Sequence, residues 1–192
     1  MLNVVLVEPE IPANTGNIGR TCVLTATRLH LVGPLGFDLS DRALERAGLH
    51  YWESLDCTVY KNWTEFETCA LAGDYSHVHL LTKAGKRLYS EATYEDGDWL
   101  IFGRESRGLD RELIEAHQDR TERIPMVTDD ALCNADEWHE SYRALNPGLR
   151  RDVCGNYVDE RKGQISSLNL SNAVAICLYE GLRQLGYPQM QP

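Results

Sequence analysis

A succession of short, strand-like apolar runs, separated by helical patterns, constrains this chain more than any other feature. The runs are Leu2–Val7, Leu29–Val32, Val78–Thr82, Trp99–Gly103 and Arg123–Val127, with a shorter one near Thr58–Tyr60. Apolar runs without alternation mark strands covered on both faces. Between them, Asn14 is placed to cap a helix reaching about Thr27, with Ile18, Cys22 and Ala26 four apart on its inner side. Ser40 is placed to cap another, with Leu44 and Ala47 inward, and a third starts near Trp63. Strands alternating with helices predict an α/β fold: a mainly parallel sheet with helices on both faces. The last helix begins near Asn169 or Ser171 and ends at about Leu185, where Gly186 and Pro188 stop it. Leu170, Val174, Leu178, Leu182 and Leu185 follow helical spacing, and Ala173–Leu178 is apolar nearly all round. Such a helix is buried on more than one side, within the domain or against a second subunit.

At 192 residues the chain reads as a single domain, 1–192, able to bury a core without metals or disulfides. Its longest apolar run, Ala173–Tyr179, is too short to span a bilayer, so no membrane partner is expected. The start, MLNVVLVEPE, lacks a basic segment and meets Glu8 and Glu10 at once, unlike a signal peptide. A cytoplasmic protein is the expectation. The six cysteines form no CxxC pair and are expected as reduced thiols. A net charge of −10 argues against a protein that coats nucleic acid through a general positive field. A few arginines can still act locally, since screening hides a distant acidic surface beyond about 8–10 Å.

One stretch breaks the strand–helix pattern. Residues 128–165 carry eight acidic and five basic side chains around Asn146-Pro147-Gly148, with no long apolar periodicity. Glu137–Leu145 is compatible with a turn or two of helix. Segments of this length are usually functional loops or disordered.

Three polar clusters follow strand ends or open helices. The first is Asn14-Thr15-Gly16-Asn17-Ile18-Gly19-Arg20, where Asn14, Asn17 and Arg20 form a stripe and the glycines keep the surface low enough for a ribose-phosphate backbone to approach. The plainer reading makes Asn14 a cap, Asn17 solvated and Arg20 a surface ion pair. The second, Phe102-Gly103-Arg104-Glu105-Ser106-Arg107-Gly108-Leu109, leaves the carboxyl end of a buried strand, where open α/β sheets bind ligands. It matches neither a Walker loop nor GxGxxG, and its plainer reading is a polar turn with a local Glu–Arg pair. The third joins Ile124-Pro125-Met126-Val127 to Ser166-Ser167-Leu168-Asn169-Leu170-Ser171-Asn172 across the long insert. Capping explains its Ser and Asn residues in part and does not exclude ligand binding. Cys133, His139 and Cys154 offer three zinc ligands at irregular spacing, a weak pattern. His77 and His79 read as structural residues at a strand edge, and no Ser-His-Asp or Cys-His arrangement suggests itself.

Taken together and in this order, the clusters resemble the SPOUT class (TrmH superfamily) of RNA 2'-O-methyltransferases. Within it the chain is similar to the TrmL/YibK type, which methylates the wobble nucleotide of tRNA. The resemblance rests on LNVVLVEPEIPANTGNIGR at 2–20, RLHLVGPLGF at 28–37, RAGLHYWE at 46–53, LIFGRESRGL at 100–109, RIPMV at 123–127 and LNLSNAVAICLYEGLRQLGYP at 168–188. It implies a C-terminal deep trefoil knot, an exception to normal chain topology that no general argument produces. It also implies a homodimer, S-adenosylmethionine as cofactor, the anticodon region of tRNA as partner, and no metal.

By position, the resemblance assigns cofactor contacts to Leu81, Thr82, Gly85, Gly103, Ile124, Met126, Ser167 and Leu168. The polar positions Asn14, Asn17, Glu105, Arg107, Asn169, Ser171 and Asn172 would place the nucleotide and hold Arg20. Of these, Arg20, Asn17, Glu105 and Asn169 are the expected catalytic set, and Asn14, Arg107, Ser171 and Asn172 the substrate-binding set. In relatives, the arginine matching Arg20 is proposed to activate the hydroxyl. With a pKa above about 12, arginine suits stabilising a developing alkoxide or gripping a phosphate better than acting as a base.

The departure from the family is the insertion 128–165, where relatives have a short connection. It is expected as a surface loop, a lid, or an RNA contact through Arg143, Arg150 and Arg151; its net negative charge favours the first two. Competing functions are a 2'-O-methyltransferase for another tRNA or rRNA position, a catalytically inactive RNA-binding relative, and a generic nucleotide-binding α/β protein.

Overall fold

The computed structural model describes residues 1–38, 50–126, 149–151, 157–159, 164–165, 167–188 and 190. Seven strands form one sheet: β1 (Asn3–Val7), β2 (Arg28–Val32), β3 (Cys57–Tyr60), β4 (Val78–Leu81), β5 (Arg87–Leu88), β6 (Trp99–Phe102) and β7 (Thr121–Arg123). Their order is β3-β2-β1-β6-β4-β7-β5, and every pairing is parallel. Among the described residues the α-helices are α1 (Pro12–Leu24), α2 (Trp63–Phe66, continued as a π turn over Glu67–Leu71), α3 (Arg111–Ala116) and α4 (Leu170–Gln184).

Successive strand residues point to opposite faces, which divides the core into two layers. Val4, Leu6, Leu29, Leu31, Leu100 and Phe102 pack under α1 and α4, through Ile18, Cys22, Val174, Cys177, Leu178 and Leu182. Val5, Val7, Leu80 and Ile101 pack on the other side against Phe66, Leu71, Leu113 and Ile114. The expected two-faced α/β sheet is the one observed.

The first helix differs from its expectation at both ends. Pro12 opens it, its fixed φ suiting the first turn, and Ile11 supplies no side-chain cap. Asn14 therefore lies inside the helix and is buried. The helix stops at Leu24, because Ala26 adopts a left-handed φ of 50° and is exposed rather than buried. The last helix follows its expectation closely. Asn169 caps it by accepting from the Ser171 N–H at 2.9 Å, and Gly186, at φ 73°, closes it.

The run read as Arg123–Val127 forms its strand earlier, at Thr121–Arg123, where it pairs with β4 and β5. Ile124-Pro125-Met126 continues as an irregular segment, Pro125 having no N–H to add to a ladder. Of the segment expected as an insertion, 128–165, the described residues form three short antiparallel strands, β8 (Leu149–Arg151), β9 (Tyr157–Asp159) and β10 (Gln164–Ile165), at positions for which the sequence suggested no strand. Strands of two and three residues are too short to declare a period. The helix expected after Ser40, the turns expected at Glu137–Leu145, and Cys133, His139 and Cys154 lie outside the described residues. Among the described residues Cys22, Cys57, Cys69 and Cys177 are free thiols, and no helix is long and apolar enough to cross a membrane.

His79, expected at a strand edge, lies inside its strand. It belongs to β4, between β6 and β7, and is nearly sealed from solvent. Its Nδ1 pairs with Glu122 at 2.7 Å and its Nε2 with Asp98 at 2.9 Å. Glu122 is fully buried and also accepts from Arg87 Nη2 at 2.7 Å and the Tyr94 hydroxyl at 3.0 Å. Burial alone would lower the His79 pKa, but hydrogen bonds and charge from Asp98 and Glu122 prevail and hold it at about 9. The imidazolium thus neutralises carboxylates that β6 and β7 bring inside.

Candidate active site

The strand order reverses its direction of growth between β1 and β6, and open α/β sheets bind ligands at the carboxyl ends of strands beside such a point. Here the chain leaves β1 at Glu8, β4 at Thr82, β6 at Gly103 and β7 at Ile124, all on that side of the sheet. The approach of the loop after β6 to its own return requires glycine. A Cβ on Gly103 would stand 2.0 Å from the Gly108 carbonyl carbon and 2.1 Å from the Leu109 nitrogen. Gly85 is similarly confined, its added Cβ falling 2.3 Å from the Glu122 carbonyl carbon.

The two segments that flank the switch point are clasped by reciprocal carboxylates. Glu105 Oε2 accepts from the Glu10 N–H at 2.8 Å, and Oε1 accepts from the Ile11 N–H at 3.2 Å. Glu105 therefore holds the backbone of the two residues that lead into α1. In return, the Glu10 carboxylate accepts from the Ser106 N–H and Oγ, each at 2.9 Å. Arg104 holds the outer side, within 3.2 Å of Glu8 and donating to Asp110 at 2.8 Å.

Asn14 extends the clasp to the third cluster. Its Nδ2 donates to Glu105 Oε1 at 3.0 Å, while its Oδ1 accepts from Asn169 Nδ2 at 2.9 Å. Asn169 Oδ1 accepts from the Ser171 N–H and from Ser171 Oγ at 2.7 Å. Thus one line of hydrogen bonds, Glu105–Asn14–Asn169–Ser171, ties together residues far apart in sequence. Asn169 is at once a helix cap and a partner of Asn14. Asn14 is not a cap, and Glu105 reaches α1 rather than forming only a local turn pair.

These segments line a cleft that is partly open to solvent. Its apolar wall includes Leu81, Phe102, Ile124, Met126, Leu168 and Leu170, and its polar rim Asn14, Thr82, Glu105, Arg107, Ser167 and Asn169. Of the expected cofactor contacts, only Gly85 does not line it; Gly85 closes the adjacent turn, its N–H donating to the Thr82 carbonyl at 3.0 Å. Of the expected polar set, Arg20, Asn17, Ser171 and Asn172 do not line it. Ser171 joins through Asn169, whereas Asn17, Arg20 and Asn172 are exposed. Six residues from Asn14 to Arg20 correspond to about 9 Å along a helix, so the polar stripe leads outward from the rim.

The wall also holds Lys83, which lies inside the expected Thr82–Gly85 turn, and Glu122, which the sequence reading missed. Burial pushes the Lys83 ammonium down to about 8. A glutamate inside a strand gave no sign that buried His79 and Arg87 would pair with it.

Residues 1–135 match the SpoU rRNA Methylase family. The chain is 39% identical, over 97% of each chain, to a tRNA (cytidine(34)-2'-O)-methyltransferase of Burkholderia pseudomallei. It is 38% identical to the protein of that name from Escherichia coli, over 98% of this chain and 96% of the relative. A solved structure concerned with 2-OH methylation of C/U34 on tRNA superposes with a TM-score of 0.71 at 35% identity, over 97% of both chains. The methyltransferase AviRb of Streptomyces viridochromogenes, solved with the cofactor AdoMet, shares the fold at a TM-score of 0.67 and 21% identity, over 96% of this chain and 58% of that one. With its parallel sheet, its switch-point cleft and these relatives, the chain belongs to the SpoU methylase family.

Proposed function

We propose that this protein transfers a methyl group from S-adenosylmethionine to the 2'-hydroxyl of the wobble nucleotide of tRNA, position 34, cytidine or modified uridine. The observation that carries the reading is the Glu105–Asn14–Asn169 line, which fastens the β6 loop, α1 and α4 around one cleft. The relatives named for this reaction, aligned over nearly the whole chain, support the substrate.

The cleft suits the cofactor chemically. An apolar wall of Leu81, Phe102, Ile124, Met126 and Leu168 offers burial to an adenine ring, and backbone at Thr82, Gly103 and Ser167 offers polar contacts. S-adenosylmethionine, when bound, supplies a methyl group activated by a sulfonium. The protein's own work is orientation and charge: alignment of reacting groups accounts for up to about 7–11 kcal/mol of barrier in favourable cases. Glu105 and Asn169 have their carboxylate and amide engaged in holding the cleft together, so in this reading they fix geometry rather than exchange protons. Arg20 and Asn17, on the exposed continuation of the α1 stripe, meet the RNA, with Arg107, Ser171 and Asn172. Arg20 grips the nucleotide's phosphate or stabilises the developing alkoxide; a preorganised donor of that kind contributes about 10²–10³ in rate.

In the same reading the chain is one domain, 1–192, with 128–165 as an insertion, and the segment that ends in α4 forms the trefoil knot of the family. Two copies pair through apolar residues such as Leu24, Ile176 and Tyr179, which stand exposed on the single chain. A tRNA substrate places the protein in the cytoplasm. The test is methyl transfer from labelled S-adenosylmethionine to tRNA lacking the wobble methyl, with nucleoside mapping. Label at the position 34 ribose is expected; label at another tRNA or rRNA position would replace the substrate while keeping the chemistry.

A further inference from the structure

The glycines of the α1 stripe were expected to leave the surface low for RNA. Gly19 is instead buried beneath the segment His50–Leu55. A Cβ there would stand 3.1 Å from the Trp52 ring and 3.2 Å from Leu55 Cδ2. One turn earlier on the helix, the Tyr51 hydroxyl donates to the Gly16 carbonyl. The Tyr51 ring, pinned by that bond and by the packing of Trp52, lies under the Arg20 guanidinium, 5.2 Å from its charge centre. Residues 50–54 form a 3-10 turn and are thereby bolted to α1 at three successive points.

We propose that Tyr51 is a positioning residue for methyl transfer: its ring face holds the Arg20 guanidinium in the orientation in which it meets the ribose or its phosphate. This rests on the role given to Arg20 above. The physical reason is that a long, exposed arginine samples many rotamers. The aromatic ring beneath the guanidinium selects some of them. Gly16 and Gly19 serve this arrangement by letting the 50–55 segment lie against the helix.

The experiment compares Tyr51→Leu with Tyr51→Phe in single-turnover methyl transfer to tRNA, alone and in an Arg20→Ala background. Tyr51→Leu is expected to slow transfer at saturating tRNA by about 3- to 30-fold, the range of a cation–π contact, with cofactor affinity unchanged. Tyr51→Phe keeps the ring and is expected to recover most of the rate. In the Arg20→Ala background Tyr51→Leu is expected to add no further loss. In parallel, the Arg20 side-chain NMR signals should show an upfield ring-current shift that Tyr51→Phe keeps and Tyr51→Leu loses. Equal losses for both tyrosine variants, or an additional loss in the absence of Arg20, would overturn the proposal. Absence of the ring-current shift would do so as well. Full activity of Arg20→Ala would overturn the role of Arg20 itself and with it any function of this contact in catalysis. A ring-current shift that persists in that case marks the contact as structural only.

Discussion

Replacing Asn14 by Asp changes one atom type at the centre of the site. The wild-type amide is 3% exposed, donates to Glu105 at 3.0 Å and accepts from Asn169 at 2.9 Å. Asn14→Asp keeps the acceptor and converts the donor into a second carboxylate oxygen facing Glu105. The charge-assisted hydrogen bond it removes is worth about 1.5–3 kcal/mol. Two like charges about 4 Å apart at an effective dielectric of 20 repel by about 4 kcal/mol. Uptake of one proton between the two carboxylates relieves that repulsion, at about 1.4 kcal/mol per pH unit. The expected outcome is a loss of about 5–7 kcal/mol at pH 8, with roughly 1–2 kcal/mol regained at pH 5. Urea denaturation at the two pH values, read by tryptophan fluorescence, measures it, and methyl transfer should fall at least 100-fold at pH 8. A loss below about 1 kcal/mol that is the same at both pH values would refute the reasoning, because it would mean that Asn14 does not bridge Glu105 and Asn169.

Three further outcomes follow from the same coordinates. His79 titrates near 9 in the folded protein against 6.5 unfolded, so its contribution is full below pH 6.5 and fades as pH rises through 9. That amounts to about 3 kcal/mol, and thermal unfolding across this window should show the decline in the wild type and lose most of it in His79→Gln. Gly103→Ala puts a Cβ 2.0 Å from backbone that belongs to the same tight loop, so cofactor binding by calorimetry should be lost or the protein should fail to fold. Gly181→Ala brings a Cβ within 2.9 Å of the end of the Leu2 side chain and 3.5 Å of the Tyr94 ring, so overpacking of about 1–3 kcal/mol is offset by about 1 kcal/mol of helix propensity, and denaturation should show a net loss of about 0–2 kcal/mol.

The fold was legible wherever burial on two faces left an uninterrupted apolar run. Strands β1, β2, β4 and β6 were foreseen to within a residue at most ends, and α4 by its capping Asn169 and its closing Gly186. The start of α1 was misjudged for an instructive reason. Asn14 is a good cap in isolation, but Pro12 opens the helix earlier and Glu105, more than ninety residues away, holds the two residues that lead into it. A contact at that separation leaves no local trace in the sequence. The same applies to His79, Asp98 and Glu122: each lies in or beside a different strand, and only strand order makes them neighbours. The three polar clusters were recognisable because strand ends and helix starts concentrate ligand-facing groups. Which of their members face the cleft was not, since the helical stripe that carries Asn14 inward carries Arg20 outward.

The most direct test of the central claim is single-turnover transfer of labelled methyl from S-adenosylmethionine to tRNA lacking the wobble methyl, followed by nucleoside mapping, with Arg20→Ala beside the wild type. Label confined to the 2'-oxygen of nucleotide 34, and reduced about 100-fold or more in Arg20→Ala, is the predicted result. A wild-type protein that binds the cofactor yet labels no ribose in tRNA would contradict the account.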